Sequence, residues 1–264
     1  MKLTEGDPAE LYLAEDRRLQ RRITLKLLHA ERNYDAEAAA VLEREARLLS
    51  RIDHPNVVSV YDFGRFGVEL CMTLSPIGRD ALDEWLAQGQ PSQTRVLEVL
   101  CEAGRGLAAA HAAGVVHGDL TPRRIRVDER GKVSLVDFDR AVDLTPEPSA
   151  WEQDGPPLEL DYDLDYVAPE TRATGLRDAL SDQFSFCAIA WEALTGRRAP
   201  EDPSRSAIFR EVRRDPVYQT LARGMARHPT DRWPSMVELV EALTPSKRSL
   251  GARALERLRR GKLL

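Results

Sequence analysis

The run His117-Gly118-Asp119-Leu120-Thr121-Pro122, the apolar stretches Ile125 to Val127 and Val133 to Val136, and Asp137-Phe138-Asp139 after them decide how this chain is read. The two stretches are short strands, and the charged segment Asp128 to Lys132 between them is a turn. They place one carboxylate before a small hairpin and two after it. Toward the N-terminus, Lys26 sits on a strand in Ile23-Thr24-Leu25-Lys26, and nineteen residues later Glu45 falls within a helix spanning Asp35 to Ile52. Leu42, Ala46 and Leu49 recur on one face of that helix. His54-Pro55-Asn56 ends it, because the residue before proline is pushed out of helical space. Toward the C-terminus come Ala168-Pro169-Glu170, Asp182 and Arg232.

Further apolar runs complete the outline. Met1 to Leu3, Glu10 to Ala14, Val57 to Phe63 and Val68 to Leu74 read as strands, and with Ile23 to Leu28 they form an antiparallel meander around one helix. Ala81 to Gln88, Thr94 to Ala113, Ser181 to Leu194, Ile208 to Arg213, Val217 to Arg227 and Met236 to Leu243 have helical patterns, many closed by Gly or Pro signals. The chain has 264 residues, 42% hydrophobic and 31% charged, which describes a folded globular protein. Its net charge of -5 argues against a general nucleic-acid binder. No apolar run is long enough to span a bilayer, and the N-terminus lacks a signal-peptide core, so the expected location is the cytoplasm. Cys71, Cys101 and Cys187 lie far apart in apolar stretches and read as reduced buried thiols.

In order and spacing these motifs resemble the protein kinase family, especially bacterial serine/threonine kinases, from about Glu5 to Leu243. The resemblance implies an α+β, two-lobed fold. Residues 1–78 form an N-lobe of small antiparallel sheet plus helix with a truncated first strand, residues 79–245 a mainly helical C-lobe, and residues 246–264 a basic tail. It also implies roles. Lys26 holds nucleotide phosphates and pairs with Glu45. Asp119 accepts the proton of a substrate hydroxyl, and Asp137 holds magnesium. Leu11, Thr24, Met72 and Arg126 line the nucleotide slot. Glu170 and Arg232 form a buried ion pair, and Asp182 braces the loop around Asp119.

Several positions depart from the family. Thr4-Glu5-Gly6-Asp7-Pro8-Ala9 stands where a glycine-rich phosphate loop belongs, with a single glycine and two carboxylates beside a polyanion. The first strand is either lost or begins upstream. Thr121 replaces a lysine, Asp139 a glycine, and Gly118 the arginine that receives a phosphorylated loop. Arg124 replaces the usual Asn ligand of a second magnesium, and a guanidinium has no lone pair to offer a cation. Arg126 stands where an apolar floor lies under adenine, and Thr24 narrows the slot from above. Asp163 replaces a threonine that bridges the catalytic pair.

These departures point to a degenerate member, a pseudokinase that acts as a binding or regulatory module toward a protein partner and needs no cofactor. Arg124, alone or together with Arg126, is expected beside Asp137 and Asp139 in place of ATP and magnesium, the other course for Arg126 being to turn outward and leave the floor usable. The alternative is an active ATP-dependent serine/threonine kinase using ATP and Mg atypically, with a protein substrate. A small-molecule phosphotransferase is a third reading, drawn from His117-Gly118-Asp119. The acidic stretch 147–170 carries no Lys or Arg, whereas the tail from Ser246 is basic and has a weak apolar stripe. That tail is expected either to be solvated or to contact a protein or an anionic surface.

Overall fold

The computed structural model describes residues 2–4, 9–28, 36–67, 69–145, 163–200, 212 and 214–244. Strands β1 (Lys2–Thr4), β2 (Ala9–Asp16), β3 (Arg21–Leu28), β4 (Val60–Phe66) and β5 (Glu69–Leu74) form one antiparallel sheet in the order β1-β2-β3-β5-β4. This is not the meander expected from sequence, because β3 pairs with β5 and leaves β4 at the edge. Burial in the assembled sheet accounts for the order. Met72 and Leu74 of β5 are buried, whereas β4 is largely exposed and tolerates an edge.

Helix α1 (Ala36–Leu49) packs on this sheet through Ala38, Leu42, Glu45, Ala46, Leu48 and Leu49. Asp35, the expected start of this helix, lies outside the described residues. So do Val68, the acidic stretch 146–162, nearly all of the expected helix Ile208 to Arg213, and the tail from residue 245.

The rest is mainly helical. Helices α2 (Leu82–Gly89), α3 (Gln93–Ala112), α4 (Pro169–Thr174), α5 (Ala179–Thr195), α6 (Pro216–Gly224) and α7 (Met236–Leu243) surround a buried apolar centre. Their starts obey local chemistry. Ser92 accepts from the Arg95 N–H, Asp215 from Val217 and Ser235 from Glu238, while Asp178 and Ser181 cap each other's backbone reciprocally. Helix α3 buries Val96, Val99, Leu100, Ala103, Leu107 and Ala110 at helical spacing, and α5 is buried on nearly all sides.

Small strands frame the site. β6 (Asp80–Ala81), β8 (Ile125–Val127) and β9 (Val133–Leu135) form a three-stranded sheet, and β7 (Val115–Val116) pairs with β10 (Val142–Asp143). Val57 to Phe63, expected as one strand, is divided. Val57 makes a parallel bridge to Leu135, and the strand proper begins at Val60. The Val58 N–H donates to the Leu135 carbonyl at 3.0 Å, and Leu135 N–H to the Asn56 carbonyl at 2.8 Å. Backbone therefore joins the sheet part to the helical part directly behind the site.

Candidate active site: a carboxylate cluster closed by an arginine

The β2–β3–β5 register places Leu11, Lys26 and Met72 side by side in one cross-sheet row. Lys26 reaches from the middle of this row to two carboxylates. Its Nζ lies 2.7 Å from Glu45 Oε2 on α1 and 2.6 Å from Asp137 Oδ1 beyond β9. The second oxygen of Glu45 accepts the Phe138 N–H at 3.0 Å. One carboxylate of α1 thus holds both β3 and the Asp137-Phe138-Asp139 turn. Asp137 sits at φ 66°, a left-handed backbone that costs a non-glycine residue about 1 kcal/mol. Its contacts with Lys26 and Arg124 hold it there.

Arg124 closes the short 3-10 turn Pro122–Arg124 and directly precedes β8. Its Nε donates to Asp137 Oδ2 at 3.1 Å, and Nη1 bonds both the Asp119 side chain and the Asp119 carbonyl. Nη2 stands 3.6 Å from Asp139 Oδ1, beyond hydrogen-bond reach, and that buried oxygen has no hydrogen-bond partner. Arg140 Nε approaches Asp119 to 3.6 Å.

The electrostatics follow from burial and neighbours. Burial opposes the charge of Lys26 but is outweighed by Asp137 and Glu45, so its ammonium is held well above the usual lysine range. Arg124 is likewise held up by Asp137, Asp119 and Asp139 against burial. Burial would raise Asp137, yet Lys26 and Arg124 hold it well below the usual carboxylate range. Asp139 is pushed up by burial and by Asp137. Glu45 is pushed up to about 7, because burial and the two nearby aspartates outweigh Lys26.

Arg126 behaves differently from the expectation. On β8 it pairs in register with Ala81, and its guanidinium donates to the carbonyls of Gly78 (3.2 Å from Nε) and Arg79. It does not join Asp137 and Asp139. Arg124 is not on a strand, so strand alternation does not bind the two arginines to one target. Burial lowers the Arg126 pKa despite Glu84, Asp80 and Asp83 nearby. Above it, Thr24 is fully buried and its Oγ1 accepts the Ile77 N–H at 3.3 Å. Gly78 approaches so closely that a Cβ there would lie 2.2 Å from the Val127 carbonyl carbon. The linker between β5 and α2 is thus pinned from Thr24 and from Arg126. Met72 is fully buried and Leu11 partly so.

Asp182, in the first turn of α5, accepts the N–H groups of His117 (2.7 Å) and Gly118 (2.9 Å) and lies 2.8 Å from His111 Nε2. Gly118 has φ 78°, and a Cβ there would meet the Arg140 carbonyl oxygen at 2.5 Å, so this backbone path admits only glycine. Glu170 and Arg232 form a two-pronged pair at 2.6 and 2.7 Å. Asp163 caps its own turn and lies 3.5 Å from Arg198, remote from Thr121 in its bonding.

Sequence reasoning missed the linker carbonyls and Arg140. Carbonyls carry no sequence signal, but Arg140 directly follows Asp137-Phe138-Asp139 and was legible as a further cation. Magnesium and ATP, which the resemblance implies, do not fit this arrangement unaided. The Asp119 and Asp137 carboxylates are bonded to the Arg124 guanidinium, and in the linker the Ile77 N–H and the Gly78 and Arg79 carbonyls are taken up by Thr24 and Arg126. Among the described residues, no group of three or more His, Cys, Asp or Glu side chains is placed to hold a metal ion.

The comparisons agree with the geometry. The family model for the protein kinase domain matches residues 1–254. The chain is 30% identical to the serine/threonine-protein kinase pkn2 of Myxococcus xanthus, covering 95% of this chain and 32% of that protein. It is 33% identical to the probable serine/threonine-protein kinase pknA2 of Bifidobacterium longum, over 84% of this chain and 30% of that one. It thus spans about a third of the length of these curated relatives. The crystal structure of the Mycobacterium tuberculosis PknI kinase domain superposes with a TM-score of 0.66 at 22% identity, covering 92% of each chain. No helix among the described residues is long and apolar enough to cross a membrane. Motif order, fold and family match lead to one conclusion: this chain belongs to the protein kinase domain family.

Proposed function

We propose that this kinase domain is catalytically impaired and acts as a binding or regulatory module toward another protein, from a cytoplasmic location. The observation that carries this reading is the Arg124 guanidinium bonded to both Asp119 and Asp137. A catalytic base must be free to accept a hydroxyl proton, and a metal ligand must offer lone pairs. Arg124 engages both carboxylates at once and neutralises a cluster that otherwise repels itself. Lys26 and Glu45 then serve to brace α1 against β3. The lobes 1–78 and 79–245 persist as a scaffold, and neither ATP nor magnesium is required for the binding role.

An active serine/threonine kinase with atypical metal use is the second reading. It is favoured by Lys26, Glu45 and Asp137 lying within hydrogen-bond distance in one chain of contacts. A thermal-shift titration separates the two, since a ligand at a hundredfold excess over its Kd stabilises the native state by about 2.7 kcal/mol. Wild type is expected to show no shift with millimolar ATP, with or without magnesium or manganese. The double variant Arg124→Asn, Arg126→Leu is expected to gain a metal-dependent shift. A wild-type shift, together with radiolabel transfer abolished by Asp119→Asn, overturns the proposal.

A further inference from the structure

Strands β2 and β3 pair through eight successive positions, from Ala9↔Leu28 to Asp16↔Arg21. Their neighbours stop short. β5 pairs with β3 only from Thr24 to Leu27, and β1 reaches β2 only at Leu11 and Tyr12. The pairs Glu15↔Arg22 and Asp16↔Arg21 therefore project past the sheet as the end of a two-stranded arm, about 7 Å long at the usual strand rise, while Ile23 next to them is buried.

The end of this arm reads Arg17-Arg18-Leu19-Gln20-Arg21-Arg22. All six residues are exposed, and Leu19 keeps 58% of its surface in solvent. Asp16 is turned to the arm's own needs. Its Oδ1 accepts the N–H groups of Arg18 and Leu19 at 3.1 Å, and its Oδ2 lies 3.6 Å from Arg21. The Arg21 guanidinium also lies over the half-exposed Tyr61 ring, 4.2 Å from its centroid. Arg17, Arg18 and Arg22 form no ion pair with a described residue. Four arginines thus flank one exposed leucine at the end of the arm, against the two carboxylates Glu15 and Asp16, and none of them bonds to the cleft residues.

We propose that this arm docks end-on onto an anionic lipid surface, with Leu19 entering the headgroup layer and the arginines meeting lipid phosphates. Adjacent strand residues point to opposite faces, so Arg21 and Arg22 lie on opposite sides of the arm. An acidic peptide laid along one face meets only some of these charges, and the end of the arm offers it no groove. A flat sheet of negative charge meets Arg17, Arg18 and Arg22 together with the leucine. Basic side chains and a shallow apolar insertion are the two terms that hold proteins at such surfaces.

The test is vesicle co-sedimentation of the full chain. Phosphatidylcholine vesicles are compared with vesicles containing about a third phosphatidylglycerol, at low and at physiological salt. The chain is expected to sediment with the anionic vesicles only, and less so as salt rises. The triple variant Arg17→Gln, Arg18→Gln, Arg22→Gln, which places no like charge opposite Glu15, is expected to lower partitioning at least about tenfold, and Leu19→Ser several-fold. Neither set should move the melting temperature, because the side chains are exposed. The tail is controlled by Arg257→Gln, Arg259→Gln, Arg260→Gln in the full chain, which should retain arm-dependent binding. Unchanged sedimentation of the arm variants, or binding to a polyglutamate peptide but to no vesicle, overturns the proposal.

Discussion

Glu45 faces a conflict that a single ammonium does not resolve. It is buried with Lys26 against one oxygen and the Phe138 N–H against the other, while Asp137 competes for the same Nζ. Asp137 has a second cation in Arg124 and Glu45 has none, so the two carboxylates shift in opposite directions. The consequences for stability have opposite signs. A group pushed up in the folded state binds its proton more tightly there than in the unfolded chain. The contribution of Glu45 is therefore full below the ordinary glutamate value and is lost as pH rises through about 7. The contribution of Asp137 is present above the ordinary aspartate range and is lost only as pH falls below it. Between about pH 5 and 8 Asp137 is silent and Glu45 titrates. His54 and His117, both lowered by burial, pull the other way in this window, so the informative quantity is a difference between proteins. Relative to Glu45→Gln, wild type should lose several degrees of melting temperature from pH 5 to pH 8. Parallel pH profiles for the two proteins contradict this account.

The first turn of α5 holds two aspartates with different duties. Asp178 caps the helix, accepting the Ser181 N–H at 2.7 Å near the surface. Asp182 is buried and accepts the N–H groups of His117 and Gly118 from a distant loop. Asp178→Ala removes a cap and should cost about 1 kcal/mol. Asp182→Ala leaves buried donors unpaired and should cost about 3 kcal/mol or more. Urea denaturation of both variants checks the ranking, and equal losses contradict it. The same contrast explains which elements were legible in the sequence. Met236–Leu243 matches its expected bounds to the residue, and α1, α2, α3, α5 and α6 match theirs within a few positions at either end, because caps and apolar spacing are local signals, whereas α4 (Pro169–Thr174) lies where the sequence pattern shows only the end of a loop. The β5-for-β4 exchange was not legible. Strand order depends on which strand's faces find burial, and Val60–Phe66 and Glu69–Leu74 differ in that only after the sheet is assembled.

At the scale of the whole molecule, the sequence placed Arg124 beside Asp137 and Asp139, because it replaces a residue whose neighbours are known from motif order. It misplaced Arg126, whose partners are backbone carbonyls of Gly78 and Arg79, groups that every residue carries. Both arginines nonetheless act across the boundary between the sheet part and the helical part. Arg124 joins Asp119 to the turn that Lys26 and Glu45 hold, and Arg126 fastens the linker to β8. The Val57 bridge and the Arg51–Asp143 pair at 2.6 Å add further cross-ties. One buried apolar cluster also runs without a break from Leu28, Leu48 and Met72 through Leu135 and Phe138 to Trp191 and Leu239. Two parts that share a core and a charged cluster cannot lose one without exposing the buried charges of the other. The domain should therefore unfold in a single transition despite its size, with calorimetric and van't Hoff enthalpies in agreement. Arg124→Ala strips that coupling by leaving Asp119 and Asp137 short of a cation, at a cost of about 3 to 5 kcal/mol if the cluster stays buried. Scanning calorimetry of the variant should show the sheet part melting ahead of the helical part. Two resolved transitions already present in the wild-type chain would contradict this picture, because the cross-ties would then do nothing to couple the lobes.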